Sequence, residues 1–203
     1  VNLSEWPHEF RAGEQDAPVL LSLHGTGGDE HDGLALGLAV DPRATVLAPR
    51  GRVSERGANR WFRRLAEGVF DVDDVEARAD ELAEFAREAT SHYDLAGALV
   101  GAGFSNGANM ALATALRHPG VLGRAIAFSG MYPFGDREPQ GTVILDLLLL
   151  NGAEDPMAPS TSVDRLEATA TARGASVTRV TRAGGHGIPA AEFDTAREWL
   201  AAH

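Results

Sequence analysis

The chain contains no cysteine and no lysine. Without cysteine there is no disulfide, no thiolate metal site and no thiol nucleophile. Without lysine there is no Schiff-base chemistry and no Walker-type phosphate loop. All 18 basic side chains are therefore arginines, set against 29 acidic ones, for a formal net charge of −11. We read the absence of lysine as coding bias rather than function. The acidic balance argues against nucleic acid or an anionic membrane as the main partner. Long apolar runs are also missing, and none approaches the roughly 18 residues of a membrane span. The first ten residues mix Glu5, His8 and Glu9 with apolar side chains. They lack the basic flank and apolar stretch of a secretory signal, so the cytoplasm is the expected location.

What is present fits one globular domain. The 203 residues are 44% hydrophobic and 23% charged, enough for one sizeable core. There are no repeats, low-complexity tracts or Pro/Ser linkers. Apolar runs at Val19–Leu23, Thr45–Ala48, Ala98–Phe104, Leu122–Phe128 and Leu147–Leu150 predict strands. Ala175–Thr181 alternates and is rich in β-branched residues, which predicts one more. Helices are expected over Val72–Ala89, Asn106–Arg117, Thr161–Arg173 and Ala190–Ala201, from apolar residues recurring at helical spacing. Strands alternating with helices imply an α/β fold with a parallel sheet covered on both faces. Ligands then bind beyond the C-terminal ends of the strands, so the loops after Leu23, Ala48, Phe104, Phe128, Leu150 and Thr181 share one face.

The candidate chemistry falls in those loops. Gly103-Phe104-Ser105-Asn106-Gly107 is a Gly-x-Ser-x-Gly turn between a buried strand and a buried helix. Such a turn exposes the serine oxygen, and the flanking glycines remove Cβ atoms that would clash. The following helix aims its first amides at the charge formed during attack. Among seven histidines, His186 is the candidate general base: it sits between glycines after the last strand. His24 also follows a strand, and shaping its glycine-rich loop is the reading preferred for it. The acid is expected between serine and histidine in the chain. Asp155, held out of helical geometry by Pro156, is the choice, with Glu154 as its rival. An amide of the loop Leu23-His24-Gly25-Thr26-Gly27-Gly28, together with that of Asn106, is the candidate oxyanion hole. No metal and no cofactor is called for.

The segment from Arg50 to Arg64 holds a third of the arginines: 50, 52, 56, 60, 63 and 64. For most of them we expect a solvated loop pairing with surplus carboxylates, rather than a site for an anionic substrate. Trp61 and Phe62 are expected to line the pocket, because aromatics in a long polar loop need somewhere to bury. Met131, Tyr132 and Met157 follow strand ends and are further candidate walls, or ordinary core.

These motifs, in this order, resemble the phospholipase/carboxylesterase family of α/β-hydrolases. The resemblance extends to Pro49-Arg50-Gly51, Asn59-Arg60-Trp61-Phe62, Asn151-Gly152 and Gly185-His186-Gly187. It looks most like the bacterial carboxylesterase branch associated with hydroquinone resistance, and is similar to acyl-protein thioesterases and dienelactone hydrolases. The resemblance implies a single-domain α/β-hydrolase fold of about seven strands without a cap domain. It implies Ser105, Asp155 and His186 as the triad and Thr26 and Asn106 as the oxyanion donors. Thioesterases usually carry Gln after the serine, where this chain has Asn106. Dienelactone hydrolases use a cysteine, which this chain lacks. No apolar lid speaks for a phospholipase. The expected substrate is a small soluble carboxylic ester. A thioesterase or lysophospholipase-type activity is the alternative, and a silent binding protein is disfavoured because no triad member is lost. A homodimer is compatible with the sequence.

Overall fold

A computed structural model describes residues 2–66 and 68–203. In chain order the elements are β1 (His8–Arg11), β2 (Val19–Leu23), α1 (Glu30–Val40), β3 (Thr45–Pro49), β4 (Val53–Glu55), β5 (Ala58–Arg60), β6 (Arg64–Ala66) and β7 (Val69–Phe70). There follow α2 (Val72–His92), β8 (Leu99–Phe104), α3 (Asn106–Arg117), β9 (Leu122–Phe128), β10 (Asp146–Gly152), α4 (Ser160–Ala172), β11 (Ser176–Arg182) and α5 (Ala190–Ala202). Seven strands form one sheet in the order β1-β3-β2-β8-β9-β10-β11. Only β1 is antiparallel to its neighbour; the remaining pairs are parallel.

Strand periodicity sorts the core into two layers. In β10, Leu147 and Leu149 face one side, where Val75, Leu82 and Phe85 of α2 and Leu112 of α3 pack. Leu148 and Leu150 face the other, against Trp199 and Leu200 of α5 and beside Val40 of α1. Helices cover both faces, which buries the central strands and explains their continuous apolar runs. The strand and helix positions expected from periodicity hold, and α3 and β9 match to the residue.

Three elements escape that reading. Strand β1, His-Glu-Phe-Arg, is an edge strand with no apolar run. Helix α1 contains Gly33 and Gly37, which are poor helix formers. A Cβ at Gly37 would stand 2.7 Å from Val46 Cγ1, so the helix lies closer to the sheet than a larger residue permits. Asp29 caps it, with Asp32 completing the reciprocal pair, and that spacing is the signal the apolar pattern hides. Finally, residues 50–70 are not an open loop. They carry two antiparallel hairpins, β4 with β5 and β6 with β7.

Candidate active site

Three strand ends bring Ser105, Asp155 and His186 together. Ser105 follows β8 with φ +54° and ψ −115°, a strained conformation for a residue with a side chain. Its amide donates to Phe128 O at 2.9 Å, which pins the turn to the end of β9. Ser105 occupies the position where a serine would ordinarily cap a helix, yet its side chain makes no capping bond to α3. The hydroxyl instead meets His186 Nε2 at 2.9 Å.

The other face of the imidazole meets carboxylate. His186 Nδ1 lies 2.7 Å from Asp155 Oδ2. The Asp155 side chain is wholly shielded from solvent, and its Oδ1 accepts from the amides of Met157 at 2.9 Å and Ala158 at 3.3 Å. With Nδ1–H donated to Asp155, Nε2 is left to accept from the serine hydroxyl. The neighbouring Glu154 is exposed, and only its backbone is engaged here, donating to Gly184 O at 3.0 Å. Geometry thus favours Asp155 over Glu154 as the partner of His186.

Two further groups of the expected site converge on Ser105. Asn106 is the first residue of α3, and Thr26 sits in the loop after β2. Among the described residues, neither amide donates to a protein acceptor. The Asn106 side chain is a strut: its Oδ1 accepts from the Trp61 amide at 2.7 Å. His24 is also structural. It is buried, its Nδ1 donates to Gly25 O at 2.6 Å, and its Nε2 accepts from the Gly51 amide at 2.9 Å. Burial holds its pKa below the ordinary histidine value, in keeping with a neutral ring.

Trp61 and Phe62 are not pocket walls. Trp61 is 2% exposed and Phe62 is fully buried. The β4–β5 hairpin turns the chain back beneath the glycine-rich loop after β2, so Trp61 Nε1 donates to His24 O at 2.9 Å and Phe62 packs edge-on against Phe70. The aromatics do find somewhere to bury, but it is the core. Met131, Tyr132 and Met157, by contrast, all line a cavity of about 650 Å³ beside the site. Burial and Glu138 push the Tyr132 phenol up to about 12, so it stays protonated and donates to Arg137 O. A second, small cavity of about 40 Å³ lies at Ser105 itself and shares Gly68, Phe70 and Met157 with the larger one.

Sequence reasoning missed Phe70 and Asn109 at this cavity. Asn109 lies four residues after Ser105, on the same face of α3, and that spacing was its only signal. Its Oδ1 accepts from the Met131 amide at 2.8 Å and so ties the helix to the loop after β9. Most of the clustered arginines pair with carboxylates as expected, but Arg60 is buried rather than solvated, and it and Arg64 line the small cavity at Ser105. Arg50 binds Glu30 through two bonds, Arg63 meets Asp71 at 2.9 Å, and Arg60 and Arg64 both meet Glu55. Among the described residues no group of three or more His, Asp or Glu is placed to hold a metal ion. No described helix is long and apolar enough to cross a membrane.

A strained serine, an imidazole and a shielded carboxylate in hydrogen-bonded series, beside two uncommitted amides, are the parts that acyl transfer requires. A family model for phospholipases and carboxylesterases matches residues 10–203. The chain belongs to the phospholipase/carboxylesterase family. It is 39% identical to the hydrolase MhqD of Bacillus subtilis (strain 168) over 95% of this chain and 96% of that protein. The Bacillus cereus carboxylesterase is 36% identical and superposes with a TM-score of 0.92, covering 98% of this chain and 95% of the other. A carboxylesterase from Mesorhizobium loti is 29% identical with a TM-score of 0.89, covering 98% and 95%. The chain is thus a hydrolase of an α/β-hydrolase family whose similar solved structures include esterases.

Proposed function

We propose that this chain is a serine carboxylesterase acting on small soluble esters through an acyl-enzyme intermediate. The observation that carries the reading is the series Ser105 Oγ, His186 and Asp155, joined at 2.9 and 2.7 Å. His186 Nε2 takes the serine proton as Oγ attacks the ester carbonyl. The amides of Thr26 and Asn106 receive the negative charge that develops on the carbonyl oxygen. Asp155 holds the ring in the tautomer that leaves Nε2 free and stabilises the imidazolium. The imidazolium then gives its proton to the departing alkoxide, and the alcohol leaves Ser105 acylated. Water, deprotonated by the same ring, attacks the acyl carbon, and the carboxylic acid departs as Ser105 regains its proton.

The small-ester reading is supported by the cavity at Ser105. At about 40 Å³ it offers room for a short group, and the larger cavity beside it, lined by Phe70, Met131, Tyr132 and Met157, opens to solvent, where added methylenes gain little. A methylene gains up to about 0.8 kcal/mol when buried and nothing when left in solvent. For p-nitrophenyl esters, kcat/KM is therefore expected to rise from acetate to about butyrate and then flatten. A rise continuing through dodecanoate would exclude the small-ester class.

Covalent labelling tests the mechanism. A fluorophosphonate is expected to add once to the protein, and Ser105→Ala to abolish the adduct. Asp155→Asn is expected to lower kcat by about 10³–10⁴-fold, whereas Glu154→Gln costs less than about tenfold. Labelling that survives Ser105→Ala overturns the proposal.

A further inference from the structure

His186 sits in a stretch that has little reason to hold still. Residues 183–189 separate β11 from α5 without regular structure and include Gly184, Gly185 and Gly187. Glycines lose the most conformational freedom when ordered, so such a loop is costly to fix. Yet the imidazole must keep both its bonds at once. One side chain outside the triad bridges the loop on both sides of the histidine. Arg182, the last residue of β11, donates from Nη1 to Gly185 O at 2.9 Å and from Nη2 to Gly187 O at 2.5 Å. These are the carbonyls of the residues immediately before and after His186.

The guanidinium is itself anchored. Its Nε lies 2.7 Å from Oε1 of Glu192, a carboxylate 6% exposed in the first turn of α5. Gly152 leaves space for the loop and the guanidinium together: a Cβ there would stand 2.3 Å from Gly184 O, 2.4 Å from Gly185 O and 2.6 Å from Arg182 Nη1. The backbone of Arg182 is committed too, because its carbonyl accepts from the Ala153 amide at 2.8 Å, two residues before Asp155. One residue thus touches the loop of the base and the loop of the acid together. The forked, planar donor set of arginine suits two carbonyls at once, which a single ammonium cannot match.

We propose that Arg182, held by Glu192, is a positioning residue that keeps the His186 imidazole aligned between Ser105 and Asp155. The inference rests on the reading of His186 as the base. Arg182 touches no reacting atom, and its effect runs through ring orientation. Small misplacements of a reacting group cost up to about a hundredfold in rate.

The experiment compares Arg182→Gln, Arg182→Lys and Asp155→Asn with the unaltered protein, using p-nitrophenyl acetate and a fluorophosphonate. Arg182→Gln is expected to lower kcat by about 10–100-fold with KM within about twofold, and the labelling rate to fall in parallel. Arg182→Lys, reaching one carbonyl, falls between. In an Asp155→Asn background, where ring control is already lost, adding Arg182→Gln is expected to cost less than about threefold. A purely structural role would impose the same factor in both backgrounds. The proposal is overturned if folded Arg182→Gln keeps kcat within twofold, or if its cost is undiminished beside Asp155→Asn. Should Arg182→Gln fail to fold, Arg182→Lys decides by the same two criteria. An unaffected Asp155→Asn would instead remove the triad reading itself, and leave no doubt which idea had failed.

Discussion

Two glycine-rich turns present the two groups that must meet, and they are held in different ways. The turn at residues 103–107 is fixed by packing. A Cβ at Gly107 would lie 2.3 Å from Leu23 O and 2.4 Å from His24 O, and one at Gly103 would lie 2.6 Å from the Ala108 amide nitrogen. Glycine is there because main chain presses on main chain. The turn at residues 184–187 rests two carbonyls against Gly152, where a Cβ would lie 2.3 Å from Gly184 O and 2.4 Å from Gly185 O, but its own glycines are open and polar ties do most of the holding. A Cβ at Gly187 would meet nothing within 4 Å, and one at Gly185 would come no nearer than 3.6 Å to Glu154 O. What holds that turn is Arg182, Ser129 Oγ on Gly187 O at 3.3 Å, and the bond to Asp155. Ser105 is set in a wedge of main chain, whereas His186 hangs mostly on hydrogen bonds.

The largest effect should come from forcing the wedge apart. Gly107→Ala cannot be absorbed by a side chain moving aside, since its neighbours are backbone carbonyls. Helix α3 must lift from β2, carrying Ser105 and the Asn106 amide with it. We expect kcat/KM to fall at least about a hundredfold, or the protein not to fold. Steady-state kinetics and a thermal melt read the result. Activity near that of the unaltered protein would show that the wedge is not what sets the serine.

Trp61 extends the contrast below the site. Sequence reasoning placed it in the pocket, where its loss would shift the acyl preference towards longer or bulkier groups. Buried, bonded to His24 O and donating its amide to Asn106, it belongs to the packing that supports the serine turn. Trp61→Ala is expected to cost about 3–5 kcal/mol and to lower the melting temperature by about 10 °C or more. A protein of unchanged stability with a longer acyl optimum would return Trp61 to the wall.

That reversal marks where the sequence stops being legible. Buried parallel strands write themselves as apolar runs, and Gly103–Gly107 announces a sharp turn, so the sheet and the strand-end loops could be read directly. The pairing of Asp155 with His186 was readable because proline and glycine flank them at strand ends. Residues 50–70 could not be read that way. Their strands are two or three residues long, below the span over which alternation becomes a signal, and Trp61 follows β5 where it folds back on β4. Helix α1 was hidden for a different reason. Its glycines serve contact with the sheet, and their poor helix propensity is overridden by that packing. Arg182 gave no signal at all: an arginine ending a strand is unremarked until its two carbonyl partners are seen.

Polar ties titrate and packing does not, which offers a smaller test. Arg50 stands next to Gly51, whose amide supports His24, and it is bonded to Glu30 at the start of α1. That bond holds the Glu30 carboxyl below the usual carboxylate range. A lowered folded-state pKa means that the stabilisation is present above the unfolded carboxylate range and is lost as pH falls through the folded value. Glu30→Gln should therefore lower the melting temperature at neutral pH, and the gap should close on going below about pH 4. The Arg50 side chain is 38% exposed, so screening limits the effect to about 1 kcal/mol. A gap that stays constant down to pH 3 would mean that shape rather than charge matters at this tie.

The smallest effect should be at Gly187, and it is the sharpest check on the comparison. Its backbone is not in the left-handed region, and the space a methyl group would take is empty. Its carbonyl, the acceptor for Arg182 and Ser129, is untouched by a change at Cβ. An alanine also narrows the unfolded ensemble, which at a compatible position stabilises a protein by up to about 1 kcal/mol. Gly187→Ala should then keep kcat within about twofold and leave the melting temperature equal or slightly raised. Gly184 is the internal control, since its φ of +99° disfavours any side chain and alanine there should cost about 1–2 kcal/mol. If Gly187→Ala instead lost more than about tenfold in kcat, the histidine turn would be as sterically committed as the serine turn. The division between a packed serine and a tethered histidine would then have to be abandoned.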